Sequence, residues 1–254
     1  MSTFRLKYPI VQRYLTGPSK RRPCIPLQSC RFMVAHDTGN PGSTAAGNVS
    51  YYERSRNDDE ASAHIFVDDI QIIECIPFLA LDPEKAWHVR YNPPIDNAMY
   101  GADSNDAAGG VELCFGGNID LNESYKRFVW VLAYSCWRYG LDAATDIVGH
   151  YTLDPSRKVD PVNSLKQLGK TFTDLIADVI NEYNNCLEDE DDMPMQLEND
   201  WQWKQVGDAL DGLYRKGLLS DYGWAKKAYT RQLTISEAAQ LNLVILARQN
   251  GVEV

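Results

Sequence analysis

The sequence predicts an α/β domain, with a mixed central β-sheet flanked by helices, followed by a small all-helical domain. Over about the first 180 residues, short apolar segments typical of strands alternate with longer segments of helical periodicity. Residues 201–254 show helical periodicity alone. An acidic run separates the two patterns and indicates a domain boundary.

Five segments are predicted as strands because apolar and β-branched residues cluster in them between turn-forming residues. They are residues 30–36, 62–68, 70–76, 108–115 and 145–150. The pair Asp68-Asp69, between the second and third segments, indicates a hairpin turn.

Helical periodicity marks three segments of the first domain, which are residues 43–55, 122–139 and 163–186. In the second of them, Phe128, Val131 and Leu132 recur at helical spacing, and Gly140 follows as the expected C-cap.

The run Glu188–Asp192 concentrates acidic side chains at one place in the chain. Neighbouring carboxylates repel one another, and Pro194 interrupts a helix, so residues 187–200 are predicted to be an acidic linker. It separates a first domain, residues 1–186, from a second, residues 201–254. The alternative is a charged face at the end of a helix.

In the second domain, Trp201–Lys216 has the spacing of a helix that ends at Gly217. Thr234-Ile235-Ser236-Glu237 fits a capping box that begins a helix running to about Gln249. The aromatic side chains of this domain are expected mainly to fill its small core.

The composition is ordinary for a globular protein, with 44% hydrophobic and 24% charged residues and a net charge of −10. This acidic balance argues against general nucleic-acid binding. No segment approaches the roughly 18 apolar residues of a membrane helix, so no membrane insertion is expected. Charges interrupt the apolar positions of the N-terminus, so synthesis in the cytoplasm without a signal peptide is expected.

The six cysteines form no C-x-x-C pair and are expected to be reduced thiols.

His36 and His150 each close an apolar run that is typical of a strand. Two imidazoles at strand ends with a nearby carboxylate are a credible three-ligand set for a catalytic Zn²⁺ ion. The turn at Asp154-Pro155 can bring Asp160 back toward the second imidazole, but Asp154 is a rival third ligand, and spacing does not choose between them. The alternative is that each histidine is structural.

Five short segments then follow one another in a characteristic order along residues 28–162. They are His36-Asp37-Thr38-Gly39, Ser62-Ala63-His64, Ala86-Trp87-His88, Gly110-Val111-Glu112-Leu113, and Gly149-His150 through Lys158-Val159-Asp160-Pro161. In this order they resemble the zinc-dependent N-acetylmuramoyl-L-alanine amidases of the amidase-2 type, which are related to peptidoglycan-recognition proteins. The segment from Ser62 to Asp69 most resembles endolysins of phages and prophages that infect Gram-positive, Bacillus-like hosts.

By position, the resemblance implies that His36, His150 and Asp160 bind zinc, so Asp160 is preferred to Asp154. Many relatives have cysteine at the third position, and the aspartate oxygen found here is also an acceptable ligand for Zn²⁺. The resemblance further implies that Glu112 moves a proton from water to the leaving amine, and that the positive charge of Lys158 stabilises the oxyanion.

His64 and His88 match positions that line the substrate groove of the family, and Trp87 and Asn105 lie nearby in the pattern. The resemblance implies that all four bind substrate. The alternative for them is packing without direct substrate contact. Ala108-Gly109-Gly110 departs from the family pattern, in which Ser-Ile-Gly-Ile often stands, and predicts a looser strand ahead of Glu112.

The implied activity is hydrolysis of the amide between N-acetylmuramic acid and L-alanine in peptidoglycan, by a phage endolysin or autolysin that acts on the cell wall after release. Alternatives are a non-catalytic peptidoglycan-binding protein on the same fold and a zinc amidohydrolase of small muropeptides. Residues 201–254 hold seven basic and five acidic residues and are expected to bind an anionic wall polymer, or else to dimerise the protein or cap the first domain.

Overall fold

The computed structural model describes residues 3–91, 94–188, 194–252 and 254. Contacts divide the chain into two compact units. The larger is Leu6–Cys186, and the smaller is Leu187–Val254 together with the described N-terminal residues up to Arg5. Residues 189–193, which hold most of the predicted acidic linker's charge, lie outside the described residues.

In chain order, the described residues form the elements β1 (Thr3–Phe4), β2 (Ile10–Gln12), β3 (Phe32–Asp37), α1 (Ala45–Arg54), β4 (Ile65–Val67), β5 (Ile72–Glu74), α2 (Pro94–Tyr100), α3 (Ser104–Ala107), β6 (Ala108–Leu113), α4 (Leu121–Tyr139), β7 (Ile147–Gly149), α5 (His150–Leu153), α6 (Val162–Gln167), α7 (Phe172–Cys186), β8 (Leu187–Glu188), α8 (Asp200–Arg215), α9 (Gly223–Tyr229) and α10 (Ile235–Gln249).

The larger unit is built on one mixed sheet with the strand order β2-β5-β4-β6-β3-β7. Strands β4, β6, β3 and β7 run parallel to one another, whereas β5 is antiparallel to β4. The predicted fold class is therefore confirmed. Because four parallel neighbours end at the same edge, side chains that follow them converge there, as ligand sites of open α/β sheets usually do.

The predicted hairpin at Asp68-Asp69 joins β4 to β5. One oxygen of the buried Asp68 carboxylate accepts hydrogen bonds from the N–H groups of Ile70 and Gln71, at 2.9 and 2.8 Å. The other accepts from the N–H of Ala45, the first residue of α1, at 2.8 Å. A single carboxylate therefore holds both the turn and the start of the helix that packs beside it.

Of two helices predicted in the larger unit, one agrees with the structure and the other does not. Helix α4 ends, as expected, at Gly140, which adopts a left-handed conformation with φ of 68°. The single helix predicted over residues 163–186 is wrong, because the chain turns between α6 and α7 at Gly169, where φ is 67°.

The smaller unit packs α8, α9 and α10 around a core of Trp203, Leu210, Leu219, Ala225, Ala228, Leu233 and Leu241. The capping box predicted at Thr234 is present at the start of α10. Met195 and Leu197 pack against this core, and the Met195 N–H donates to the Leu233 carbonyl at 2.9 Å. Residues 194–199 thus lie within the smaller unit.

Two further features concern the described residues as a whole. None of the helices in the described ranges combines the length and apolar character needed to cross a bilayer. All six cysteines are free thiols, and Cys75 and Cys114 are buried in the core as small apolar residues.

Candidate metal centre

Strand register brings the two predicted histidine ligands together. His36 lies on β3, in register with Glu112 on the neighbouring strand β6. On the other side of β3, Ala35 is in register with Gly149, the last residue of β7, so that His150 follows directly beyond it. The three side chains therefore meet at the carboxyl edge of the sheet.

The loop after α5 returns Asp160 to this edge. The Tyr151 N–H donates to the Asp160 carbonyl at 3.0 Å, which closes the loop. Asp160 Oδ2 then lies 2.9 Å from His36 Nδ1 and 3.0 Å from His150 Nδ1. All three residues are buried, and one ligand atom from each lies within 4.8 Å of the others. This group could hold a metal ion.

Asp154, the rival ligand, faces another way. Its carboxylate forms an ion pair with Arg157 and accepts a hydrogen bond from Ser156 Oγ at 3.4 Å. The group of possible metal ligands contains Asp160 and not Asp154.

The hydrogen bonds around His36 determine which of its nitrogens carries the proton. His88 Nε2 lies 3.2 Å from the Ala108 carbonyl and must donate to it, so His88 Nδ1 is an acceptor. That acceptor lies 3.1 Å from His36 Nε2, which therefore donates. The Nδ1 atom of a neutral His36 then directs a lone pair at Asp160.

This arrangement fits a bound cation. Burial lowers the pKa of His36 to about 4, although Asp160 opposes the shift, so the ring is neutral at pH 7. An imidazole lone pair and a carboxylate oxygen then face each other at 2.9 Å. A metal cation bound by both atoms removes this conflict, and two imidazoles with one carboxylate are donors that Zn²⁺ accepts.

Glu112 lies beside the ligand group as a half-buried residue whose Oε2 atom is fully buried and has no hydrogen-bond partner among the described residues. Burial, reinforced by the charges of Asp160 and Asp37, raises the pKa of Glu112 well above its usual range, and Lys158 opposes the shift. Such a carboxyl group is suited to accept and return a proton.

Two adjoining cavities open at the ligand group. The inner one, of about 250 Å³, includes Glu112 and Lys158 in its walls. The outer one, of about 420 Å³, shares Trp87, His150 and Lys158 with it. Lys158 thus places a positive charge where both cavities meet. It is close enough to Glu112 to oppose the rise in the pKa of that carboxyl group.

The four predicted groove residues occupy different positions. Trp87 and His88 line both cavities, and Asn105 lines the outer one. The Asn105 amide is occupied by backbone groups, since Oδ1 accepts from the N–H of His88 and of Val89, and Nδ2 donates to the Val89 carbonyl at 2.7 Å. His64 is fully buried and lies outside the lining of either cavity.

The glycines before Glu112 do not loosen β6, contrary to expectation. The strand spans Ala108–Leu113 and is paired with β3 on one side and β4 on the other. A Cβ atom at Gly109 would lie 2.2 Å from Cζ of Phe78, whose ring occupies that space. An aromatic side chain from elsewhere thus fills the site that a larger residue takes in the family pattern.

Tyr52 is a cavity residue that the sequence analysis missed. It lies on α1, three residues after the buried Val49, and its ring is 4.4 Å from the Arg21 guanidinium and edge-to-face with Phe66. Burial, with Glu112 nearby, raises its pKa well above 10, so it is a neutral phenol in the inner cavity. Helical periodicity indicates its buried face, but no local signal places α1 against β4 and β5.

Comparisons with known proteins agree with this geometry. The family model for N-acetylmuramoyl-L-alanine amidase, Amidase_2, matches residues 26–163. The chain is 32% identical over 162 residues to N-acetylmuramoyl-L-alanine amidase BlyA of Bacillus subtilis (strain 168), across 60% of this chain and 41% of that protein. The chain therefore spans less than half the length of that relative.

Solved structures share the fold. The catalytic domain of XlyA superposes with a TM-score of 0.53 and 22% identity, covering 67% of this chain and 99% of that one. Staphylococcus aureus hydrolase AmiA, in complex with its ligand, gives a TM-score of 0.55 and 23% identity, over 70% of this chain and 85% of that one. At these identities the likeness concerns the fold.

Proposed function

The chain belongs to the N-acetylmuramoyl-L-alanine amidase family, and we propose that it hydrolyses the amide bond between N-acetylmuramic acid and L-alanine in peptidoglycan. Zinc is the metal, bound by His36, His150 and Asp160. The observation that carries the proposal is the buried group of two imidazoles and one carboxylate, next to a cavity that also contains Glu112.

A bound zinc ion supplies Lewis-acid activation of a water molecule and of the amide carbonyl. Glu112 accepts a proton from the attacking water and delivers it to the amide nitrogen as the C–N bond breaks. The products are a carboxylate on the muramic acid side and a free amino terminus on L-alanine. The raised pKa of Glu112 makes its carboxylate a stronger proton acceptor than an exposed glutamate.

The Lys158 ammonium stabilises the negative charge that develops on the carbonyl oxygen. Trp87 offers an aromatic face to the sugar and peptide at the junction of the cavities. Asn105 acts on the groove through the backbone of residues 88 and 89, which its amide holds. His64 supports the groove wall from inside the fold.

The enzyme degrades bacterial cell wall, as a phage endolysin or an autolysin that reaches the wall after release. One structural relative is a mutant endolysin from Bacillus subtilis. Residues 201–254 bind an anionic wall polymer and hold the larger unit at its substrate. A non-catalytic peptidoglycan-binding role is the second candidate, but simple binding requires neither Glu112 nor a complete ligand set.

Digestion of purified peptidoglycan with and without a chelator tests the proposal. New L-alanine amino termini that appear only when zinc is present are expected. New reducing sugar ends would instead identify a glycosidase. Asp160→Ala should abolish zinc binding, whereas Asp154→Ala, which removes a carboxylate paired with Arg157, should retain it. Loss of zinc in the Asp154 variant alone would overturn the ligand assignment.

A further inference from the structure

We infer that His88 is a positioning residue for the metal centre, which fixes the tautomer and orientation of the ligand His36. The inference rests on the proposed function, because it concerns the same metal site. It gives His88 a role other than the direct substrate contact that its place in the family pattern implies.

Three contacts hold His88 in one orientation. Its backbone N–H donates to Asn105 Oδ1 at 3.0 Å, and its Nε2 donates to the Ala108 carbonyl at 3.2 Å. The ring of His64 packs against it with centroids 5.6 Å apart. His88 is 8% exposed, so its ring is set almost entirely by the protein rather than by solvent.

Gly110 provides the space for this ring. A Cβ atom at position 110 would lie 2.6 Å from Cγ and 2.8 Å from Nδ1 of His88, closer than neighbouring atoms can approach. The Gly110 N–H also donates to His64 Nδ1 at 3.0 Å. One glycine of β6 thus accommodates His88 on one side and anchors its supporting ring on the other.

The consequence for the ligand follows from the direction of the hydrogen bonds. Since His88 Nε2 is committed to a carbonyl, its Nδ1 accepts from His36 Nε2 at 3.1 Å. His36 is therefore held with Nδ1 free of a proton and aimed at Asp160, as a metal ligand must be. Partners of this kind typically contribute about 10-fold to 100-fold in metal affinity.

The two imidazole ligands differ in the hydrogen bonding of the ring nitrogen that faces away from Asp160. His150 Nε2 is buried and has no hydrogen-bond partner among the described residues. Of the two imidazole ligands, His36 alone has a partner among the described residues that selects its tautomer. Loss of His88 should therefore weaken the zinc site through one ligand and leave the other two as they are.

The test compares zinc affinity in full-length variants, measured by competition with a chromogenic chelator at fixed pH. His88→Ala removes the acceptor and should weaken zinc binding by about 10-fold to 100-fold. His88→Asn, whose Oδ1 can take the place of Nδ1, should recover most of the affinity. Tyr91→Phe, which changes a wall of the outer cavity and removes a hydroxyl that donates to Asp106, should leave zinc affinity within about twofold of wild type.

Nitrogen NMR of histidine-labelled wild-type protein is a second test. It reports the tautomer of His36 directly and needs no variant. In the wild-type protein, His36 should show a protonated Nε2 and an unprotonated Nδ1. Equal zinc affinity in wild type and His88→Ala, or the opposite His36 tautomer, would overturn the inference. Failure of the wild-type protein to bind zinc would refute the proposed function itself, so the two failures are distinguishable.

Discussion

At the scale of single residues, burial determines which protons the histidines hold. His64 is fully buried, with Nε2 donating to the Glu84 carbonyl at 2.9 Å and Nδ1 accepting from the Gly110 N–H. Burial lowers its pKa to about 4, against about 6.5 in an unfolded chain. The neutral ring is therefore part of the folded state.

We expect the free energy of unfolding to fall as the pH is lowered from about 6.5 to about 4, because the unfolded chain binds a proton at His64 that the folded chain does not. The full contribution of this residue is about 3 kcal/mol. Urea unfolding between about pH 7 and pH 4.5 measures the dependence. In His64→Gln, whose amide can replace both hydrogen bonds, the dependence should be shallower. Parallel curves for the two proteins would contradict this role of His64.

Glu112→Gln tests the proton transfer with little change in shape. We expect the hydrolysis rate to fall by about 10²-fold to 10⁴-fold, because the amide cannot accept the water proton. Zinc binding should persist, since Glu112 lies outside the ligand group. Release of L-alanine amino termini and zinc content are the measurements. Glu123→Gln, at a half-exposed position on α4, makes the same substitution and should leave the rate unchanged. An equal loss in both variants would argue against a catalytic Glu112.

The third metal ligand, Asp154 or Asp160, could not be predicted from residue types and spacing alone. Both carboxylates are near His150 in sequence, and spacing leaves both within reach. The choice came from resemblance to a family. In the folded loop, the Tyr151 N–H holds the Asp160 carbonyl while Arg157 occupies Asp154. These contacts depend on loop conformation, which no periodicity encodes.

At the scale of elements, the sequence was most informative where a periodic pattern had clear ends. Helix α4 was predicted within one residue because an apolar face is followed by Gly140. The division between α6 and α7 was missed because helical spacing continues across Gly169. The short helices α2 and α3 were not predicted at all, since a helix of one or two turns has too few residues to show a period.

Glycine disfavours a strand, but the Phe78 ring fills the space beside Gly109 in β6. A substitution at Gly109 tests whether this packing stabilises the strand. Gly109→Ala should destabilise the larger unit by about 1–3 kcal/mol, because the new Cβ meets the Phe78 ring and lies 2.8 Å from Cε of Met33. Combining it with Phe78→Leu should recover part of the loss, which denaturant unfolding of all three variants would measure. Gly212→Ala, at an open position in α8, is the control and should be neutral or stabilising by up to about 1 kcal/mol. Simple additivity of the two changes at Gly109 and Phe78 would rule out their coupling.

At the scale of the whole molecule, charge distinguishes the two ends of the chain. The protein carries a net charge of −10, but residues 201–254 hold more basic than acidic side chains. Lys216 and Lys226 of this segment are exposed. Such a segment is expected to associate with a polyanion through screened, salt-sensitive attraction, whereas the rest of the chain is expected to be repelled by it.

The double variant Lys216→Glu and Lys226→Glu tests wall binding through this segment. In the catalytically disabled Glu112→Gln background, we expect weaker sedimentation with purified walls at low salt, and little difference at high salt, where the attraction is screened. The matched control, Lys126→Glu with Lys166→Glu, makes the same change of net charge at exposed positions of the larger unit and should reduce binding less. Walls stripped of anionic polymer should bind all three proteins alike. Equal loss in the two double variants would mean that overall charge, rather than the smaller unit, governs attachment to the wall.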